Sequence, residues 1–153
     1  MQQKARRHTV LTTVLFITIL AYSQSLTHLD ATFRQVRESS MLTEAQVLTG
    51  RFTFDAPDHV VWQYDSGAQA TLPAPILKFI SGAVSGSLLQ ENEDFQVIQN
   101  ESLLVLTPKR NRLRKLFDRI EIRLDKDGIA EQVVMHEPTG DTTSITFYVL
   151  SRK

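Results

Sequence analysis

From Leu29 to the end of the chain, apolar side chains recur at every second position, the spacing of strands that bury one face and wet the other. The clearest stretch is Val47–Asp55. Leu48, Gly50, Phe52 and Phe54 share one face there, and Val47, Thr49, Arg51 and Thr53 share the other. Ala56-Pro57-Asp58 interrupts it, because proline lacks a ladder donor and restricts its predecessor. His59–Tyr64 resumes with Val60, Trp62 and Tyr64 on one side, and Asp65-Ser66-Gly67 supplies turn chemistry. Further on, Asp94–Gln99 and Leu103–Thr107 flank a turn at Asn100-Glu101. Leu116–Asp125 carries Ile120, Ile122 and Leu124 inward, and Asp125-Lys126-Asp127-Gly128 reverses the chain. Ile129–Glu137 places Glu131, Val133, Met135 and Glu137 on one face and Gln132, Val134 and His136 on the other. After Pro138-Thr139-Gly140-Asp141, the strand Thr143–Leu150 aligns Ile145, Phe147 and Val149.

Two segments depart from that period. Around Asp30–Glu38 a loose alternation through Ala31, Phe33 and Gln35 competes with helical spacing through Leu26, Leu29, Phe33 and Val36. A short helical start passing into a strand is expected there. Residues 71–88 read as a helix opened by Pro73 and Pro75, with Ile76, Phe79, Ile80, Ala83, Val84 and Leu88 on one stripe. Gly82 and Gly86 each weaken such a helix by roughly 1 kcal/mol relative to alanine. They suit either close packing on a sheet or a helix that lifts as a lid. Seven or eight antiparallel strands and one central helix make an α+β domain.

The first 23 residues read as an export signal, leaving residues 24–153 as the folded domain. Lys4, Arg6 and Arg7 form a basic start, Val10–Leu20 is an apolar run short of the roughly 20 residues a spanning helix needs, and Ala21-Tyr22-Ser23 suits cleavage before Gln24. A periplasmic location follows. No Cys follows that site, so the chain is not itself expected to be lipidated. Of 17 basic residues three lie in this leader, which leaves 14 basic against 17 acidic residues, a net of −3, in the remainder. Such a body is a poor partner for nucleic acid.

Catalytic and metal chemistry find little to work with. The chain has no cysteine, which removes thiolate nucleophiles, disulfides and cysteine–zinc sites. His28, His59 and His136 occur singly, His136-Glu137 lacks a second metal-ligating histidine, and neither a nucleophile elbow nor a phosphate-cradling glycine loop is present. No enzyme activity, cofactor or metal is expected. A basic cluster, Lys109, Arg110, Arg112, Arg114 and Lys115 followed by Arg119, is either a solvated turn or a docking patch for an acidic partner or anionic headgroups.

Several segments, read in order, resemble the periplasmic outer-membrane lipoprotein carriers of the LolA type. They are Phe33-Arg34-Gln35-Val36-Arg37, then Gly50-Arg51-Phe52-Thr53-Phe54-Asp55-Ala56-Pro57-Asp58 running into Val61-Trp62-Gln63-Tyr64. Later come Leu106-Thr107-Pro108-Lys109, Leu116-Phe117-Asp118-Arg119-Ile120-Glu121-Ile122 and Glu137-Pro138-Thr139-Gly140-Asp141-Thr142-Thr143-Ser144-Ile145. The resemblance implies a strongly curved antiparallel sheet, an incomplete β-barrel of the LolA/LolB kind, covered on its concave face by helix. It implies a monomeric, non-catalytic protein that takes lipoprotein acyl chains from an inner-membrane transporter to an outer-membrane acceptor. The chain departs from the pattern in lacking a strand pair between Gly67 and Pro73, in its short leading segment, and in Ala56 where several members carry Arg. Those departures leave the cargo open between lipoproteins and another lipid.

Residues expected to line the implied cavity are Leu48, Phe52, Phe54, Val60, Trp62 and Tyr64, then Ile76, Phe79, Ile80 and Val84, then Ile120, Ile122, Leu124, Val133, Met135, Ile145 and Phe147. At about 0.8 kcal/mol per methylene, an acyl chain of about 16 carbons gains roughly 12 kcal/mol gross on burial, so a partly filled cavity suffices. The same periodicity also fits an ordinary core. The competing functional reading is a periplasmic sensory or protein-interaction domain on the same half-barrel, with an uncleaved N-terminal helix as its anchor.

Overall fold

The computed structural model describes residues 26–57, 59–67, 80, 82 and 93–153. Eight strands form one antiparallel sheet: β1 His28–Glu38, β2 Gln46–Asp55, β3 His59–Tyr64, β4 Phe95–Asn100, β5 Leu103–Pro108, β6 Arg119–Leu124, β7 Ala130–His136 and β8 Thr142–Arg152. One helical turn, α1 Asn111–Arg114, sits between β5 and β6. The spatial order is β3-β2-β1-β8-β7-β6-β5-β4, so two local meanders meet where β1 pairs with β8. The sheet is open, with β3 and β4 at its two edges.

Apolar positions converge on one face. Leu29, Ala31 and Phe33 of β1, Phe52 and Phe54 of β2, Leu104 and Leu106 of β5, Ile120 and Ile122 of β6, Val133 and Met135 of β7, and Ile145 and Phe147 of β8 are all buried. Their partners across each ladder are residues of the same face, as in Phe33↔Phe147, Ile122↔Val133 and Val133↔Ile145. Ring spacing shows that this face is concave. Neighbouring strands lie about 4.8 Å apart, so Trp62 on β3 and Phe147 on β8, three strands away, would stand about 14 Å apart on a flat sheet. Their ring centroids are 5.9 Å apart, and those of Phe52 and Phe147, two strands apart, are 5.4 Å apart. The sheet therefore curls until its own side chains meet.

β3 and β4, consecutive in the chain, lie at opposite edges of the sheet. Ile80 and Gly82 are helical, and Ile80, 1% exposed, belongs to the same apolar cluster as the inward strand residues. The rest of the helix expected over 71–88 lies outside the described residues.

Four local expectations are corrected. β1 is extended from His28 onward, with Leu29, Ala31, Phe33 and Gln35 buried at period two, so the helical start at Asp30–Glu38 is absent. The fit of Leu29, Phe33 and Val36 to a helix loses to ladders on both sides of β1. Leu116 and Phe117 precede β6 instead of opening it, since α1 and its following turn bury Leu113 and Phe117. In β7 the register shifts opposite Arg123 and Leu124, and Glu131 becomes the extra residue. Ala130 then faces inward and Glu131 faces solvent, against the face expected for Glu131. A similar shift, at Asp30/Ala31, makes Leu150 the unpaired residue of β8, and Val149 at that point is 41% exposed.

Gly50 marks the tightest approach in the sheet. It pairs with Phe33 on one side and Tyr64 on the other, and a Cβ there would fall 2.1 Å from the Gln63 carbonyl oxygen and 2.6 Å from Phe33 Cζ. The Gln63 carbonyl and the Phe33 ring thus occupy the space a side chain would need. Gly50→Ala is expected to cost roughly 1–3 kcal/mol, the usual range for overpacking. Urea unfolding checks this: the midpoint should fall at unchanged slope, and an unaltered midpoint would show that the ring and the neighbouring β3 backbone both give way.

Candidate functional site

The concave face is the candidate site. Of the residues expected to line it, Leu48, Phe52, Phe54, Val60, Trp62, Tyr64, Ile80, Ile120, Ile122, Leu124, Val133, Met135, Ile145 and Phe147 all fall in one contiguous cluster. Leu48, Val60, Trp62 and Leu124 are only partly buried and rim it. Ile76, Phe79 and Val84 lie outside the described residues. The strands bring this set together because period two sends alternate side chains inward on every strand, and the curl then narrows the distance between them.

Trp62, the single tryptophan, is the hub of an aromatic group. Its ring centroid lies 4.3 Å from Phe33, 5.4 Å from Phe52, 5.9 Å from Phe147 and 6.4 Å from Tyr64. Most of these contacts are tilted or edge-on, the arrangement ring quadrupoles favour. The indole nitrogen is cut off from solvent and makes no well-formed hydrogen bond among the described residues; the Tyr64 hydroxyl is near enough to feel its N–H without completing a bond.

Polarity on this face is graded along the strands. Buried Gln35 and Tyr64 lie towards the end where β1 meets the β1–β2 loop, and Thr143 enters β8 at the same end. The Tyr64 hydroxyl donates to Gln35 Oε1 at 2.8 Å. At the opposite end the inward side chains are Leu29, Phe54, Leu124 and Ala130. Arg37, two residues beyond Gln35 on β1, lies 3.6 Å from Glu137 and 3.8 Å from Asp141, so its charge is already matched at the rim.

The basic cluster does not converge on the concave face. Lys109, Arg110, Arg112, Arg114 and Lys115 occupy α1 and its flanks, between β5 and β6. Arg110 pairs with Asp94 at 2.8 Å and Glu93 at 3.1 Å, and Arg114 Nε donates to the Pro108 carbonyl. The histidines stay apart from the site: His28 Nδ1 is 2.6 Å from Asp55 on the outer face, and His136 is 3.3 Å from Glu121.

Several inward residues went unnamed by periodicity. Leu104 and Leu106 sit in the wholly apolar run Leu103–Leu106, which has no polar neighbour to mark its face. Leu29 fell only on the competing helical spacing, Phe33 and Gln35 were named in the loose alternation without a place in the cavity, and Phe95 opens an edge strand whose remaining residues are mostly exposed. Leu113 and Phe117 belong to a loop, where no period applies.

The sequence matches no family model and no curated protein. Among solved structures it is similar to a putative outer membrane lipoprotein-sorting protein domain from Vibrio parahaemolyticus, at 12% identity and TM-score 0.37 over 82% of this chain and 84% of that one. It is similar also to a LolA superfamily protein from Nitrosomonas europaea, at 6% identity and TM-score 0.35 over 82% and 85%. A DUF1329 family protein from Desulfovibrio piger matches at 10% identity and TM-score 0.32 over 82% and 85%. At such scores the functional reading has to stand on this chain's own residues.

Burial pushes the Tyr64 hydroxyl above its ordinary pKa of 10.0, and the neighbouring Trp62 side chain pulls it part of the way back. For a group kept neutral by the fold, the unfolded chain ionises first. Stability contributed by Tyr64 is therefore complete below pH 10 and declines as pH rises from there through the raised native pKa. Tyr64→Phe is expected to lower neutral-pH stability by about 1–3 kcal/mol, since Gln35 Oε1 loses its donor, and to flatten the alkaline decline. Urea midpoints measured across the alkaline range check both, and an alkaline decline unchanged in the variant would assign it to another group.

Proposed function

We propose that this chain is a non-catalytic periplasmic carrier that houses an acyl chain of a lipoprotein or another lipid on the concave face of its open sheet. The observation that carries the reading is the meeting of Trp62, Phe52 and Phe147 across the bend of the sheet, which gathers the apolar side chains of neighbouring strands onto one concave face instead of a flat one. An open sheet bent this far is not sealed by its own edges, β3 and β4. The segment that crosses from one edge to the other touches the apolar cluster at Ile80, which fits a cover over a guest. The helix read over residues 71–88, interrupted by Gly82 and Gly86, would be that cover, and its displacement would admit the acyl chain.

Further support comes from the leader-like residues 1–23 and the ordered set of segments that resemble lipoprotein carriers. On this reading the donor is an inner-membrane transporter and the acceptor lies at the outer membrane. Transfer between them needs reversible binding, so only part of the gross gain from burying the chain can be realised. The rim of partly buried Leu48, Val60 and Leu124 gives a guest apolar contact without a sealed core.

Native mass spectrometry of protein purified from the periplasm tests the reading. The expected result is a fraction of molecules carrying one acyl-bearing lipid, displaced by added long-chain ester. A lipid-free protein that also fails to take up a pyrene-labelled acyl ester would remove the carrier reading and leave an exported interaction domain.

A further inference from the structure

Among the described residues one buried polar atom of the concave face makes no well-formed hydrogen bond. Trp62 Nε1 is a donor shut off from solvent whose neighbour, the Tyr64 hydroxyl, does not complete a bond to it, and a buried donor left unmade is unfavourable. Tyr64 sits between it and a second polar group, its ring 6.4 Å from the indole and its hydroxyl 2.8 Å from Gln35 Oε1. The Gln35 carboxamide accepts that bond through its Oε1. One donor is thus left over on an otherwise apolar wall.

We propose that Trp62 Nε1 forms a subsite for the ester or amide carbonyl of a long acyl chain. This rests on the carrier reading and adds which part of the guest is recognised and how it lies. A carbonyl brings an acceptor and no charge, which is what an N–H walled by Phe33, Phe52 and Phe147 can accommodate. A free carboxylate fits poorly, because Arg37, the cation at the Gln35 end of β1, is already held by Glu137 and Asp141. The gradient along the strands sets direction. The hydrocarbon tail runs towards Leu29, Phe54 and Ala130, and the polar head leaves at the end of Gln35 and Thr143.

Because Trp62 is the single tryptophan, the full-length protein has one indole N–H resonance, and it reports the subsite directly. Methyl palmitate, palmitate and hexadecane, delivered from cyclodextrin to nitrogen-15-labelled protein, are the probes. Methyl palmitate is expected to bind and move that resonance downfield, and hexadecane to bind without moving it. Trp62→Phe should weaken methyl palmitate by about five- to tenfold, the loss of one hydrogen bond, and leave hexadecane unchanged. A resonance already downfield in the free protein would mean that Tyr64 satisfies the indole, and would overturn the subsite. Equal weakening of ester and hydrocarbon would do the same, with the carrier reading intact. Palmitate binding more tightly than its methyl ester would overturn the preference for a neutral carbonyl. Should none of the three bind, the subsite and the carrier reading fail together.

Discussion

The pairing of β1 with β8 holds two otherwise separate meanders in one sheet, and the concave face exists only once it has formed. β1 is laddered along its length on both sides, to β2 and to β8, and its ends are tied further by Thr27 and His28 bonding to the Lys153 carbonyl. The partners Phe33 and Phe147 are more than a hundred residues apart in the chain, so the entropy of closing that loop precedes any reward from the contact. Without this seam, the β1–β3 meander would expose Phe33, Phe52 and Trp62, and the β4–β8 meander would expose Ile145 and Phe147.

Curvature has sources at the seam and beyond it. The register shifts at Asp30/Ala31 and Arg123/Leu124 each leave one residue unpaired, a device that bends and twists a strand locally. Gly50 lets the Phe33 ring lie against the backbone of β2, which removes a side chain from the inside of the bend. The aromatic rings then meet edge-on across strands that would be too far apart in a flat sheet. On the convex side the alternate positions are spent on polar pairs, among them Asp30 with Arg51, whose bond holds the Asp30 carboxyl below its ordinary range. One face is committed to water and the other to apolar contact, and the second is where a guest would compete with the protein's own side chains.

Much of the concave wall could be read before any coordinates, and the parts that could not share a cause. Phe52, Phe54, Ile120, Ile122, Ile145 and Phe147 stand in stretches where a polar residue separates each inward position, so their face is unambiguous. Leu104 and Leu106 lack those separators, and Ala31 and Gln35 are too weakly apolar to outvote a helical spacing that runs through the same β1. Glu131 followed the period and was placed wrongly, because one inserted residue reverses every face beyond it. The isolated donor of Trp62 could not be anticipated either: the residue is plainly inward, but whether its N–H finds an acceptor depends on what stands opposite.

The amino-acid sequence by itself determined the strands, their turns at Gly67, Gly128 and Gly140, and which face of most strands is greasy, since each is set by neighbours within a few residues. Tertiary structure decided that β1 lies beside β8, that the sheet bends until Trp62 reaches Phe147, and that Gln35 and Tyr64 share a hydrogen bond. Those facts are relations between residues tens to more than a hundred positions apart. A local period carries no information about them, because it fixes the direction of a side chain and says nothing of what that side chain will meet.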